Sequence, residues 1–391
     1  LQTLFIEDLD RYNVDSILTV PQDVYVNCLL DVTKNIKVLG TDQGIYSFYN
    51  ECLLHIEGLT EIYRICVLPE LSVVVMIAGK NSVLVYCDLN HLVNLTQCAP
   101  CSKPVLKHKN IAVKNLDGFH FLQASSVAHH HTLCAATSKQ VVIIKYDLDS
   151  DDFAPLRIMD TAEPVGCALF TEHTLIVGAD KFFEIDLSKF TAEEFLDSSD
   201  VRLKHAVKFH KMRSFPLAIL QIFNNPKEYL LCFNECPVFV DEYGRSSRTT
   251  EIKSSHLPLG FQFIRPYLYV IQFSGVEIFK LNENVLRSEN SCEQIPSVSV
   301  EFTKVRYLGH NKRGIYIFHD GKVKFLEGKK LVFSDDCSSV SQFTDGDESD
   351  RFSFTSSIVQ SLDGNSSDVE NSSVEDVSAK KVQFSQTNFC T

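Results

Sequence analysis

A paired-strand unit recurs seven times along the chain, and this repeat constrains the fold more than any other feature. Each unit is an apolar strand, a turn of three or four residues and a second apolar strand. Ile36–Leu39 turns through Thr41-Asp42-Gln43-Gly44 into Ile45–Phe48, and Val73–Ala78 turns through Gly79-Lys80-Asn81-Ser82 into Val83–Cys87. Leu133–Ala136, Leu175–Val177, Tyr229–Phe233, Leu268–Gln272 and Ile315–Phe318 open the other five. The turns begin near 41, 79, 137, 178, 234, 273 and 320, a mean spacing of about 46 residues, the period of one four-stranded propeller blade. A lone hairpin cannot bury both faces, whereas blades stacked around an axis can. Val, Ile, Phe and Tyr dominate the strands, as pleated half-buried surfaces favour. The sixth unit departs from the rest, because an apolar residue, Phe273, opens its turn.

Further strands precede several units, often behind a proline: Pro164 before Val165–Phe170, Pro216 before Leu217–Phe223 and Pro258 before Leu259–Phe263. Long amphipathic helices are missing from the pattern. The one short candidate is Thr191-Ala-Glu-Glu-Phe-Leu, where Thr191 and Glu194 have capping-box spacing. The expectation is an all-β, seven-bladed β-propeller over residues 1–333. Its strand-like N-terminal segment, through Val20, completes the blade that Ile315–Leu326 begins and so removes an open sheet edge.

Composition changes after Phe333. Residues 334–391 hold 15 Ser and 11 Asp+Glu against 3 Lys+Arg, a balance of −8, whereas the rest holds 39 acidic and 34 basic residues. A tract so polar and charged cannot bury enough apolar surface to order itself, which predicts a disordered acidic tail. Thr344, Ser367, Ser372 and Ser373 each stand three residues before an acid, the spacing an acidophilic kinase reads. They are candidate phosphosites, and a phosphorylated tail would compete for the Arg245/Arg248 patch described below. Neither part carries the basic excess that nucleic acid binding requires. No apolar run reaches the ~18 residues of a transmembrane segment. Opening at Leu1 on Glu7, Asp8 and Asp10, the chain reads as a piece of something longer.

The thirteen Cys are scattered singly and in odd number, which points to reduced thiols and a cytoplasmic setting. Cys66, Cys87, Cys134, Cys167 and Cys232 fall in apolar strands, where Cys packs as a small hydrophobe. Cys98-Ala-Pro-Cys101 lacks the second pair that zinc needs and reads as a loop with two free thiols. His129-His130-His131 reads as a polar turn in preference to a metal site, since adjacent strand residues face opposite ways. No P-loop, GxGxxG, HRD, DFG, HExxH or GxSxG pattern occurs, so the segment is expected to be no enzyme and to use no cofactor. With no Trp at all, the WD signature is absent too.

The densest polar constellation is Asp241-Glu-Tyr-Gly-Arg-Ser-Ser-Arg-Thr-Thr250, followed by Glu251, Lys253 and His256. It admits two readings. One is a hairpin connection whose arginines pair with Asp241 and Glu242. The other is an exposed partner-binding patch of Tyr243, Arg245, Arg248, Lys253 and His256, since Tyr and Arg are favoured interface anchors.

Phe239-Val-Asp-Glu-Tyr-Gly-Arg-Ser-Ser-Arg-Thr249, His256-Leu-Pro-Leu259, Pro266-Tyr-Leu-Tyr-Val270 and Val276-Glu-Ile278 resemble the citron homology domain, as do Leu39-Gly-Thr41 and Gly44-Ile-Tyr46. Phe182-Phe-Glu-Ile-Asp186 with Phe190-Thr-Ala-Glu-Glu-Phe-Leu-Asp197 is similar to the citron-type kinases within that family. The likeness spans about residues 12–327. It implies a non-catalytic propeller at the C-terminus of a large cytoskeletal Ser/Thr kinase, with its kinase domain and coiled coil upstream. Its implied partners are a Rho-family GTPase and contractile-ring and midbody proteins, and its implied place the cleavage furrow, contractile ring and midbody during cytokinesis. The alternative parents carrying this domain are myotonic-dystrophy-type kinases, germinal-centre-type kinases and Rho exchange factors. The tail departs from the vertebrate pattern: it is acidic and Ser-rich instead of basic and Pro-rich, and it lacks the PDZ-type ending.

Overall fold

In the computed structural model the described residues are 14–328, apart from 99–102, 114–115, 128–130, 202, 204–213, 249, 282–294 and 296. The tail 334–391, with Thr344, Ser367, Ser372 and Ser373, lies outside them, as do Cys101, His129 and His130.

Among the described residues, twenty-seven strands form seven antiparallel sheets, six of four strands and one of three. Blade 1 follows the N-terminal strand β1 (Asp15–Thr19) and contains β2 (Val26–Thr33), β3 (Ile36–Thr41), β4 (Gly44–Tyr49) and β5 (Cys52–Ile56). Blade 2 contains β6 (Arg64–Leu68), β7 (Val73–Ala78), β8 (Val83–Asp88) and, after a helix α1 (Leu89–Thr96), β9 (Lys109–Asn110). β10 (Phe121–Ala124), β11 (Thr132–Ala136), β12 (Gln140–Asp147) and β13 (Asp152–Asp160) make blade 3. β14 (Cys167–Phe170), β15 (Thr174–Gly178), β16 (Phe182–Asp186) and β17 (Ala192–Glu194) make blade 4. Among the described residues, blade 5 consists of β18 (Pro216–Asn224), β19 (Lys227–Phe233) and β20 (Pro237–Asp241). Blade 6 is β21 (Pro258–Ile264), β22 (Tyr267–Gln272), β23 (Gly275–Lys280) and β24 (Ser297–Glu301). Blade 7 takes β25 (Arg306–His310), β26 (Gly314–His319) and β27 (Lys322–Glu327), and its fourth strand is β1. All seven sequence-read hairpins are the second and third strands of a blade.

The first strands of neighbouring blades approach one another and form the inner ring; β25 of blade 7 meets β2 of blade 1, so the ring is closed. The core is not central. It is divided into seven apolar clusters, one in each seam between adjacent blades. β7 shows why. Side chains alternate across a strand, so Val73, Val75 and Ile77 pack toward blade 3, while Val74, Met76 and Ala78 pack toward blade 1. Both faces are covered, which is why these inner strands read as continuous apolar runs.

Polar contacts add to several seams. Tyr86 donates to Asp152 at 2.8 Å between blades 2 and 3. At the ring closure, Tyr316 and Asn311 of blade 7 both donate to Asp31 Oδ2 of blade 1 at 2.7 Å, and Lys37 lies 3.3 Å from Asp31 Oδ1. Burial, together with the hydrogen bond to the Asp31 carboxylate, holds the Tyr316 hydroxyl well above the usual phenol range.

Two helix expectations are corrected. Thr191-Ala-Glu-Glu-Phe-Leu is no capped helix: Ala192–Glu194 is the edge strand β17, with Ile185 opposite Ala192 and Phe183 opposite Glu194. A six-residue window has too few turns to nucleate a helix alone, and Phe195 gains more by burial in the seam between blades 4 and 5. Conversely, α1 escaped the sequence reading. Asp88 caps it by accepting the His91 N–H at 2.5 Å, and Leu92 is buried between blades 1 and 2.

Cys87, Cys134, Cys167 and Cys232 are buried as expected, and Cys28 joins them; Cys66 is half-buried. Burial pushes the thiols of Cys28, Cys66, Cys87 and Cys167 up to about 12. Only the thiolate reacts. In the native protein at about pH 8, a thiol reagent should therefore modify Cys52 and Cys98, both exposed, and spare those four until the ring is unfolded. Peptide mapping of the labelled sites checks this; rapid native labelling of Cys28 or Cys167 would show that the seams open readily.

Candidate functional site

The polar constellation begins at the end of β20. The Asp241 carboxylate accepts the backbone N–H of Tyr243 and of Arg245, each at 2.9 Å, and the Asp241 carbonyl accepts the Gly244 N–H at 3.1 Å. Asp241 is thus an internal cap of the turn, not the partner of either guanidinium. Gly244 sits at φ +71° against the end of blade 4, where a Cβ would fall 1.9 Å from the Phe195 carbonyl oxygen. No side chain fits there.

Blade 4 holds this turn by three polar contacts: Asp197 N–H to Gly244 O at 3.0 Å, Ser246 N–H to Asp200 Oδ2 at 2.8 Å, and Arg245 Nε to Asp197 Oδ2 at 3.1 Å. The Ser199 hydroxyl, the Ser199 N–H and then Arg245 hold the Asp197 carboxyl below its ordinary range. Tyr243 projects from the seam, 68% exposed, with the Arg245 guanidinium 6.0 Å from its ring centre. Arg245 remains 63% exposed despite its ion pair. Together they make an aromatic–cationic knob on the rim between blades 4 and 5.

Arg248 is elsewhere in character. Its guanidinium grips Glu228 with two bonds of 2.6 Å, Ser247 donates to the same carboxylate at 2.6 Å, and the rings of Phe223 and Phe239 lie 5.6 and 5.5 Å away. Only 15% of the Arg248 side chain and 7% of the Glu228 side chain are exposed. The pair explains how the edge of β20 is covered. The segment after Arg245 runs along the open edge of β20, bridging Val240 to Ser246 and donating Ser247 N–H to Phe239 O. Ile252 then enters the core between blades 5 and 6. Arg248 is a brace for this segment.

Lys253 and His256 come at the other end of β20, beside the β22–β23 turn. Lys253 is exposed and 2.8 Å from Glu251; His256 is exposed, with Nδ1 3.0 Å from Ser255 Oγ. The loop is anchored by the buried Glu277, which accepts from Ser254, Ser255, Gln272 and Ser297 at 2.9–3.1 Å. The five residues therefore divide into a rim knob, a buried brace and a loop on the opposite end. Sequence reading missed the exposed Leu257 and Phe273 beside that loop. The apolar residue opening the sixth turn was the available signal.

His131 lies 3.6 Å from Glu70, and among the described residues no cluster of His, Cys, Asp or Glu is arranged to hold a metal ion. No helix among them is long and apolar enough to cross a membrane.

A closed ring of seven sheets, with its densest polar motif bracing the seam between blades 4 and 5, defines a seven-bladed β-propeller. The chain belongs to the CNH domain family, whose profile matches residues 34–299. It is similar to citron rho-interacting kinase of Rattus norvegicus, 34% identical over 290 residues, and of Homo sapiens, 33% identical over 291; each match covers 73% of this chain. Serine/threonine-protein kinase MRCK alpha of Mus musculus is 23% identical over 75% of the chain. The chain spans 14% of the length of the two citron kinases and 16% of MRCK alpha. Among solved structures, the AfRom2 CNH domain superposes with a TM-score of 0.64 at 19% identity, covering 80% of this chain and 96% of that one. The WD40 β-propeller domain of Doa1 gives 0.53 at 11%, covering 81% and 98%. These two likenesses concern the fold.

Proposed function

We propose that this chain is the partner-binding propeller of a citron-type Ser/Thr kinase, non-catalytic itself, binding a Rho-family GTPase and contractile-ring or midbody proteins in the cytoplasm of dividing cells. The observation that carries this reading is the difference in identity across the same span: 33–34% to citron kinases against 22–23% to MRCK alpha. The Tyr243–Arg245 knob is the proposed electrostatic contact, because both side chains are largely exposed and an Arg on an aromatic ring is a favoured anchor.

The test is a titration of the full chain with Rho-family GTPases in GTP-loaded and GDP-loaded forms. One GTP-loaded protein is expected to bind more tightly than its GDP form. Arg245→Glu should weaken that complex about tenfold and flatten its salt dependence, with the melting temperature nearly unchanged. Absence of binding to either form across the Rho family would sink the GTPase reading. Undiminished binding by Arg245→Glu would move the contact off the knob.

A further inference from the structure

We propose that the end of the inner ring where the first strands begin is a docking surface for an extended protein segment carrying bulky apolar side chains and a carboxylate. This partner is distinct from the GTPase above.

Neighbouring first strands begin side by side: Asn27 Nδ2 donates to Ile62 O at 2.8 Å, His120 Nε2 lies 2.9 Å from Val165 O, and Arg306 lies over Tyr25, so the residues preceding these strands gather at one mouth of the ring. Single exposed apolar residues are ordinary on any surface. Here they recur at one rung of the repeat: Tyr25 before β2, Tyr63 before β6, Phe215 before β18 and Leu257 before β21 are all exposed, from 39% to 67%. Their scatter in sequence hides that the fold collects them. Phe273, 63% exposed, extends the group at blade 6: Pro258 pairs with Gln272, so Leu257 and Phe273 face each other just beyond that pair. Asn234 holds Phe215 in place by accepting its N–H at 2.7 Å, and Asp42 does the same for Tyr25 at 2.8 Å. Side chains displayed on pinned backbone lose little entropy on binding.

Charge gives the second requirement. Arg64 and Arg306 are the first residues of β6 and β25, on either side of blade 1, and neither forms an ion pair with a described residue. Arg306 stacks 3.7 Å over the Tyr25 ring and 4.8 Å from that of Phe318, which fixes its planar fork at the mouth. A partner that only buried the apolar ring would leave two desolvated guanidinium groups without counter-charge, which costs free energy. A carboxylate beside its apolar side chains satisfies them.

The experiment pans a random-peptide phage library on the immobilised full chain and measures the affinities of recovered peptides by titration. Recovered peptides are expected to combine aromatic or aliphatic residues with Asp or Glu. Leu257→Ser with Phe273→Ser should weaken them about tenfold or more, while Tyr243→Ala leaves them unchanged. Leu257→Ser is also read alone, so a loss of folding in the double variant does not decide the outcome. Arg64→Glu should weaken the acidic peptides and favour versions with Lys in place of the acid. No enrichment over bare support, enrichment of peptides lacking acids, or affinities untouched by both mouth variants overturns the proposal. None of these results depends on whether a GTPase binds the rim.

Discussion

Removing residues 1–20 should leave a chain that no longer unfolds cooperatively and that aggregates at concentrations where the parent is soluble. The reason is ring closure. β1 supplies the fourth strand of blade 7, pairing Asp15 with Phe325 and Thr19 with Lys322, and Val20 donates its N–H to Gly321 at 2.9 Å. Leu18 and Val20, both nearly fully buried, fill the seam between blades 7 and 1. Their exposure alone costs about 1.5–3 kcal/mol each, and the deletion also uncovers the edge of β27, a template for pairing with other chains. The measurement is a thermal melt with light scattering. Adding a peptide of residues 14–24 in trans should restore part of the lost stability. A truncated protein that stays soluble and melts at the parent temperature would show that the ring is held without its N-terminal strand.

The second large effect is expected at Arg248. Arg248→Ala leaves Glu228 as a buried carboxylate with Ser247 as its remaining donor, and Glu228→Ala strands the guanidinium between two phenyl rings. Breaking a buried pair from one side costs about 3–5 kcal/mol. At about 2–4 °C per kcal/mol, that corresponds to a fall in melting temperature of roughly 10 °C. Replacing both partners, as in Glu228→Leu with Arg248→Met, should recover much of the loss, because an apolar pair of similar volume needs no compensation for desolvation. If instead Arg248→Ala melts like the parent while GTPase binding falls, Arg248 belongs to an interface and its role as a brace is wrong.

The sequence by itself determined the architecture, because strand alternation and turn chemistry are local. Seven hairpins at blade spacing, polar or glycine-led turns in six of them, and a strand-like stretch before Val20 all report on residues close in the chain. Cys134 and Cys232 were legible as buried thiols for the same reason: they sit in apolar strands, Cys134 between Leu133 and Ala135 and Cys232 between Leu231 and Phe233.

Tertiary structure decided everything that depends on which blade meets which. Asp241 through Thr250 reads as one charged loop, yet Arg245 is paired with Asp197 from 48 residues away and Arg248 with Glu228 from 20 away. Local charge patterning pointed to Asp241 and Glu242 as the partners, because nothing in sequence distance reveals a seam. How the edge of β20 is covered was hidden likewise, since the segment that runs along it has no strand-like alternation. The apolar mouth is the clearest instance. Tyr25, Tyr63, Phe215 and Leu257 lie scattered across the chain and only the closure of the ring places them on one surface, because a propeller turns equal positions in its repeat into neighbours around an axis.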